Sequence, residues 1–373
     1  MGHYPVMPRL KSILVIALVL SIAILIPSIY ANTVIGGFVP TGGPTGAGYD
    51  DGNLYGYAFQ LPTTIISSNP YGGNTGNFSL LNAIAIKYGI VTAVVWFYQP
   101  SNGQGGLLEV QNAPITGHPT NNVPWLYVGT NGSLFAGDWL YYYPPPQVIT
   151  GKLPVGWHMA VVEEYASSSK YYLNLYLDGK YIGTADLFYT SSYFLPGLFG
   201  ATPNFGGLNT YPFAYIGGGF TDWPAGKLAN FFYNGTIAIV AFYNSLLSGT
   251  TIAEMRHYSM ITSNGISVYL PTEGLIVAYV LSPSFFNANT GTLRPYYVNQ
   301  TALRELGISN PNLLLVAYGE NLKSSIWADY SITINTSIAA QSGLPLIEWM
   351  VIIVLVVIVI VAAIALIFWR KRR

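Results

Sequence analysis

Twenty uncharged residues, Met350 to Trp369, are followed at once by Arg370-Lys371-Arg372-Arg373. A helix of that length rises about 30 Å, which matches the hydrocarbon thickness of a bilayer. In lipid, a lone segment satisfies its backbone N–H and C=O groups only within itself, so 347–369 is read as one transmembrane helix. The basic tail 370–373 then faces the cytoplasm, Trp349 and Trp369 mark the interfaces, and everything before Glu348 lies outside. A second apolar run opens the chain. Arg9 and Lys11 lead into a stretch ending at Ala31, so 1–31 reads as a signal peptide or, if uncut, an N-terminal anchor. Either way the cell membrane is a partner and the large domain is extracellular, or faces outward from a virion.

Charge is divided unevenly between these parts. Six of the fifteen basic residues lie at the termini, whereas all fifteen acidic residues fall between Asp50 and Glu348. The outer segment holds nine basic residues and has no basic stripe, so no nucleic-acid partner is expected. Charged residues make up 8% of the chain while tyrosine numbers 30, so its polar surface must come from hydroxyl, amide and backbone groups. Such a surface does not depend on ionised carboxylates and suits an acidic exterior. Cysteine is absent, which removes disulfides, zinc–thiolate sites and thiol nucleophiles.

Residues 32–54 read as a Gly/Pro-rich linker without periodicity. From 55 to 260 the chain reads as short strands between turns. Thr92 to Tyr98 is β-branched and aromatic. Asn131-Gly132 closes a hairpin between Trp125–Val128 and Ser133–Phe135. Leu173, Leu175 and Leu177 share one face of an alternating strand, and Asp178-Gly179 turns it into Lys180–Thr184. Thr251 with Glu254 offers a capping box for a short helix through His257. The fold class is all-β, a two-sheet sandwich. Residues 261–345 read as a smaller, membrane-proximal β-rich stalk with strands at 265–270, 274–279 and 312–318, and one or two helical turns at 301–306.

The order of several pieces resembles the concanavalin A-like lectin/glucanase superfamily in its laminin-G-like form. They are Phe78-Ser79-Leu80, Thr92–Gln99, Gly156–Val161, Leu175–Lys180, Tyr215-Ile216-Gly217-Gly218 and Asn234–Ile237 leading to Leu247-Ser248 and the Glu254 helix. The resemblance implies a jelly roll of two curved antiparallel sheets. It also implies binding of sugars or proteins, often through calcium, or cleavage of glycans.

Glucanases of that superfamily carry carboxylates at alternate positions of one strand, so that both enter one cleft about 5 Å apart. No such run occurs here. Glu163 and Glu164 are neighbours and face opposite sides of a strand, one expected in solvent and one at a sheet edge. His158, inside a strand motif, is expected to be structural. No catalytic residue is assigned, and no serine, zinc or nucleotide motif appears.

Sugar binding needs aromatic faces beside polar groups. Two loops have that mix, Gly137–Pro146 and Phe220–Pro224, and they nominate Asp138, Trp139, Tyr142, Asp222 and Trp223 as ligand contacts. Asp138 or Asp222 could also hold calcium with backbone carbonyls; no cofactor is required. Asn77, Asn131, Asn234, Asn299 and Asn335 begin Asn-x-Ser/Thr glycosylation sequons. The expected function is non-enzymatic recognition of a glycan or surface protein by a membrane-anchored lectin-like domain. The alternatives are a structural envelope or coat protein of an archaeal cell or virus, suggested by the composition, and a tethered glycan hydrolase.

Overall fold

The computed structural model describes residues 32–40, 56–66, 76–117, 119, 122–138, 146–167, 170–187, 212–227, 229–307, 313–318 and 326–336. The readings of 1–31 as signal or anchor, of 347–369 as a membrane span and of 370–373 as a basic tail fall outside the described residues. Among the described residues no helix is long and apolar enough to cross a membrane.

Among the described residues two sheets carry the fold. The first has eleven strands, with the path Lys180–Asp186, Lys170–Leu177, Gly156–Ser167, Ile90–Gln99, Thr236–Tyr243, Asn32–Phe38, Trp327–Asn335, Gly265–Tyr269 and Met260–Thr262. Leu275–Val280 also pairs with Thr236–Tyr243, and Tyr297–Val298 pairs with it in turn. The second sheet has nine strands, ordered Phe286–Asn287, Thr292–Leu293, Leu315–Tyr318, Ala58–Gln60, Phe213–Ile216, Gly105–Gln111, Asn122–Val128, Ser133–Gly137 and Gln147–Lys152.

The strand Ile90–Gln99 explains the layering. It is apolar at consecutive positions, the mark of a strand covered on both faces. Ala93, Val95 and Phe97 enter a core between the sheets, where Ala160, Leu173 and Leu175 meet Leu126, Leu134 and Ala136. Val94 and Trp96 enter a second core behind the first sheet, with Trp157, Met159 and Val161. This second core is closed by Ile252 and Met255 of the helix Gly249–His257 and by Ile266, Val268, Leu270, Ile332 and Ile334.

That closure revises the reading of 261–345 as a separate stalk. Its strands pair into both sheets: Gly265–Tyr269 runs parallel to Trp327–Asn335, and Leu315–Tyr318 pairs with Ala58–Gln60. Residues Thr33–Ile338 form one compact unit. Five aliphatic side chains at about 2 kcal/mol each amount to roughly 10 kcal/mol, comparable with the whole stability of a domain. The segment is part of the core. The linker reading is revised at its start for the same reason, since Asn32–Phe38 is a strand and Phe38 is fully buried.

Two helix ends also differ from expectation. The helix Gly249–His257 is capped by Ser248, whose hydroxyl accepts from the Thr251 N–H at 3.0 Å, so the Thr251/Glu254 capping box does not form. Leu80–Tyr88 is a helix that the strand reading passed over; Ser79 caps it and Gly89 ends it in the left-handed region. Its residues are buried around most of its circumference, so it lacks the amphipathic stripe by which surface helices are recognised.

The hairpins follow the sequence. Asp178 (φ 50°) and Gly179 (φ 81°) form the two-residue turn, and the Asp178 carboxylate ties it down. Its Oδ1 accepts from the Met159 N–H at 2.9 Å and its Oδ2 meets His158 Nδ1 at 2.7 Å. His158 Nε2 lies 2.9 Å from the Pro154 carbonyl. Both ring nitrogens therefore face acceptors, which favours the doubly protonated imidazolium. Burial pulls the His158 pKa down, but the Asp178 and Pro154 bonds outweigh it and the net direction is up. His158 is structural, as expected.

Gly179→Val should destabilise the fold by about 1–2 kcal/mol in denaturant unfolding, because a β-branched residue resists positive φ. A Cβ there would also lie 2.9 Å from Arg256 Cβ. The His158 contribution has a definite sign. It is complete below the unfolded value near 6.5 and is lost as pH rises through the raised folded value. The melting temperature of the wild type should therefore fall more steeply above neutrality than that of His158→Gln.

Candidate functional site

The alternation that puts Leu173 and Leu175 into the inter-sheet core puts Tyr172, Asn174 and Tyr176 on the opposite face. The neighbouring strands add Glu163 and Tyr165 on one side and Tyr181, Thr184 and Asp186, the partner of Tyr172, on the other. The registers are Glu163↔Asn174, Tyr165↔Tyr172, Asn174↔Thr184 and Tyr176↔Tyr181. At about 4.8 Å between strands, this face is about 10 Å wide.

Its rings form two pairs. Tyr165 and Tyr172 stack with centroids 5.5 Å apart, and Tyr176 meets Tyr181 edge-on at 5.4 Å. Tyr181 is 57% exposed, while Tyr165, Tyr172 and Tyr176 are half-buried. Between the pairs runs a chain of hydrogen bonds. The Thr184 hydroxyl donates to Asn174 Oδ1 at 2.5 Å, which makes the Tyr181 hydroxyl the donor to Thr184 Oγ1 at 2.6 Å. Asn174 Nδ2 donates to Glu163 Oε2 at 3.2 Å, and the Leu247 N–H donates to Glu163 Oε1 at 2.8 Å. The side chains are thus fixed before any ligand arrives, which lowers the ordering cost of binding.

The face presents phenols, an amide and hydroxyls, with the Glu163 carboxyl buried beneath and Asp186 at its edge strand. Burial raises the Glu163 pKa, opposed by the Asn174 and Leu247 bonds. Burial also raises Tyr165 and Tyr176, with Glu163 adding to both, so the phenols stay protonated. The expectation that one of Glu163 and Glu164 is solvated is corrected, since both are buried. They do face opposite sides. Glu164 points into the inter-sheet core, where its Oε2 accepts from Trp125 Nε1 of the second sheet at 3.0 Å. These two carboxyls share no cleft.

The two nominated loops do meet. Trp223 packs at Gly137, where a Cβ would come within 3.2 Å of its ring, and Tyr127 donates to the Pro224 carbonyl at 2.6 Å. Trp223 and Asp138 are buried, however, and Trp223 belongs to the inter-sheet core. It anchors its loop and offers no free face. Asp222 is exposed and accepts from Asn122 Nδ2 at 3.1 Å. Trp139 and Tyr142 lie outside the described residues. Among the described residues no group of three or more His, Asp or Glu side chains could hold a metal ion such as calcium.

The five sequons separate by environment. Asn77 and Asn131 are exposed. Asn234 bridges the Gln104 N–H and the Asn102 carbonyl, Asn299 caps the helix Gln300–Glu305, and Asn335 is buried with Nδ2 on Ser267 Oγ. A folded chain therefore presents Asn77 and Asn131 for modification, and Asn335 is corrected as an accessible site.

The tyrosine face is hard to see in the sequence because the leucine half of the alternation already accounts for the strand. The pattern Tyr172-x-Asn174-x-Tyr176 was the available clue.

No family model matches this chain, and no curated protein matches it. Among solved structures, it is similar to a proposed carbohydrate-binding protein from Bacteroides ovatus, at TM-score 0.40 and 11% identity over 75% of this chain and 62% of that one. It is similar to a heptameric SAP-like pentraxin from Limulus polyphemus, at TM-score 0.35 and 10% identity over 69% of this chain and 98% of that one. The CBM40 module of a Ruminococcus gnavus IT-sialidase, bound to α2,3-sialyllactose, follows at TM-score 0.31 and 16% identity over 52% and 97% of the two chains. At these scores the fold stands on its own strand pairing.

Proposed function

We propose that this chain is a membrane-anchored surface protein whose concanavalin A-like jelly-roll domain binds uncharged glycans without cleaving them. The observation that carries the reading is the face of Tyr165, Tyr172, Tyr176 and Tyr181 built around the Asn174–Thr184 hydrogen bonds. A pyranose has a C–H face that stacks on a ring and a rim of hydroxyls that needs donors and acceptors. Tyrosine meets both needs, and Asp186, paired with Tyr172 on the same face, adds a carboxyl that can accept from sugar hydroxyls. Asp222 and its loop are the second candidate contact. Binding is favoured over hydrolysis because Glu163 and Glu164 lie on opposite faces of one strand. The apolar run 350–369 and its basic tail hold the domain on the outer surface.

A glycan array probed with the full chain in detergent micelles, with and without calcium, should find neutral oligosaccharides. Tyr172→Ala should weaken binding of the best of them by about 1–2 kcal/mol in titration calorimetry. Tyr181→Phe should weaken it less, by the loss of one hydroxyl. Unchanged affinity in Tyr172→Ala would move the site elsewhere, and release of reducing ends that stops in Glu163→Gln would replace binding with hydrolysis.

A further inference from the structure

The second sheet carries a buried carboxyl that the sugar-binding reading does not use. Glu109, in the strand Gly105–Gln111, is 1% exposed. It sits at a register shift in the pairing with Asn122–Val128 and opposite Tyr215 of the next strand. Covering it is a two-stranded ribbon, Phe220–Thr221 paired with Ala229–Asn230. The Thr221 hydroxyl donates to Glu109 Oε1, while Oε2 has no hydrogen-bond partner. The carboxyl is seated between Gly106 and Gly219, and a Cβ on either would overlap it.

Beside the buried Phe220 and Phe231 rings, the ribbon is held by further polar bonds. The Phe220 N–H donates to Gln111 Oε1 at 3.1 Å, and Asn122 Nδ2 donates to the Phe220 carbonyl at 2.7 Å. Asn230 Nδ2 donates to the Ile115 carbonyl at 3.0 Å. The titratable groups around Glu109 are the Asp222 carboxyl on the ribbon side and the Tyr215 phenol on the adjacent strand. The ribbon's lysine, Lys227, is turned away over the Phe231 ring with Nζ 5.5 Å from its centroid. Among the described residues no cation forms an ion pair with Glu109. An ionised carboxylate in this position would keep one oxygen unsolvated and face Asp222, which costs far more than burying the neutral acid.

We propose that the ribbon Phe220–Thr221/Ala229–Asn230 is an acid-closed flap, latched by the neutral Glu109 carboxyl and released when that carboxyl loses its proton. Burial holds Glu109 well above the ordinary carboxylate range; the Thr221 bond opposes this and Asp222 adds to it. The latch is complete below the unfolded value near 4.5 and is lost as pH rises through the raised folded value. Opening breaks the Phe220 bonds to Gln111 and Asn122 and uncovers both amides, while Trp223 keeps the following loop anchored in the core. The flap is independent of the tyrosine face, which lies on the other sheet.

Hydrogen exchange of the full chain in detergent micelles, read by mass spectrometry at about pH 4 and about pH 8 and corrected for intrinsic rates, tests the latch. The amides of Phe220 and Phe231, bonded to Gln111 Oε1 and to the Gly219 carbonyl, are the reporters. Their protection should fall by about tenfold or more at the higher pH in the wild type, while 90–99 stays protected. Glu109→Gln keeps the shape without the charge and should abolish the fall. Asp222→Asn, at an exposed position, should reduce it. The proposal is overturned by a wild type with no fall, or by an equal fall in Glu109→Gln. Should Glu109→Gln not fold, an undiminished fall in Asp222→Asn overturns it.

Discussion

A strand apolar on both faces must be covered on both faces, and Ile90–Gln99 imposes that demand on everything around it. One side is covered by the second sheet. The other has no sheet of its own, so the chain returns after Leu247 to cover it with a helix and with Gly265–Tyr269 and Trp327–Asn335. The cover ends near Glu163, where the Leu247 N–H meets the carboxylate. Beyond that point, among the described residues, the same face continues over three strands without a lid, and there it carries tyrosines in place of aliphatic residues. The candidate site is therefore the uncovered end of a face that is core elsewhere.

Scarcity of charge shapes the buried polar groups in one direction. Glu109, Glu163 and His158 each hold their proton more tightly in the folded protein than as free side chains. Most domains lose stability in acid because native carboxylates must take up protons. Here the shifts of Glu109, Glu163 and His158 run the other way. This agrees with a surface of hydroxyls and amides, and both properties suit an acidic exterior.

The hairpins were legible because turn chemistry is local: Asn131-Gly132 and Asp178-Gly179 need only their own backbone angles. The long apolar strands were legible from β-branched and aromatic runs. What could not be read was which elements share a core. The segment 261–335 looks detached in sequence because nothing local tells a strand that it will cover the back of another 170 residues earlier. Asn32–Phe38 was hidden by its glycines. The Leu80–Tyr88 helix was hidden by burial on nearly every side. Trp223 looks like a binding ring in sequence because nothing local shows that Gly137 leaves room for it. The tyrosine face needed three strands in register, of which one was recognised on its leucine side alone.

The central claim is that sugars meet the chain on the outer face of Gly156–Ser167, Lys170–Leu177 and Lys180–Asp186. Tyrosine-selective ring labelling, with the 30 tyrosines followed by NMR during titration with a bound oligosaccharide, tests it most directly. The account predicts that the signals of Tyr165, Tyr172, Tyr176 and Tyr181 shift together with one dissociation constant. Saturable shifts confined to other tyrosines, with these four unmoved, would contradict it.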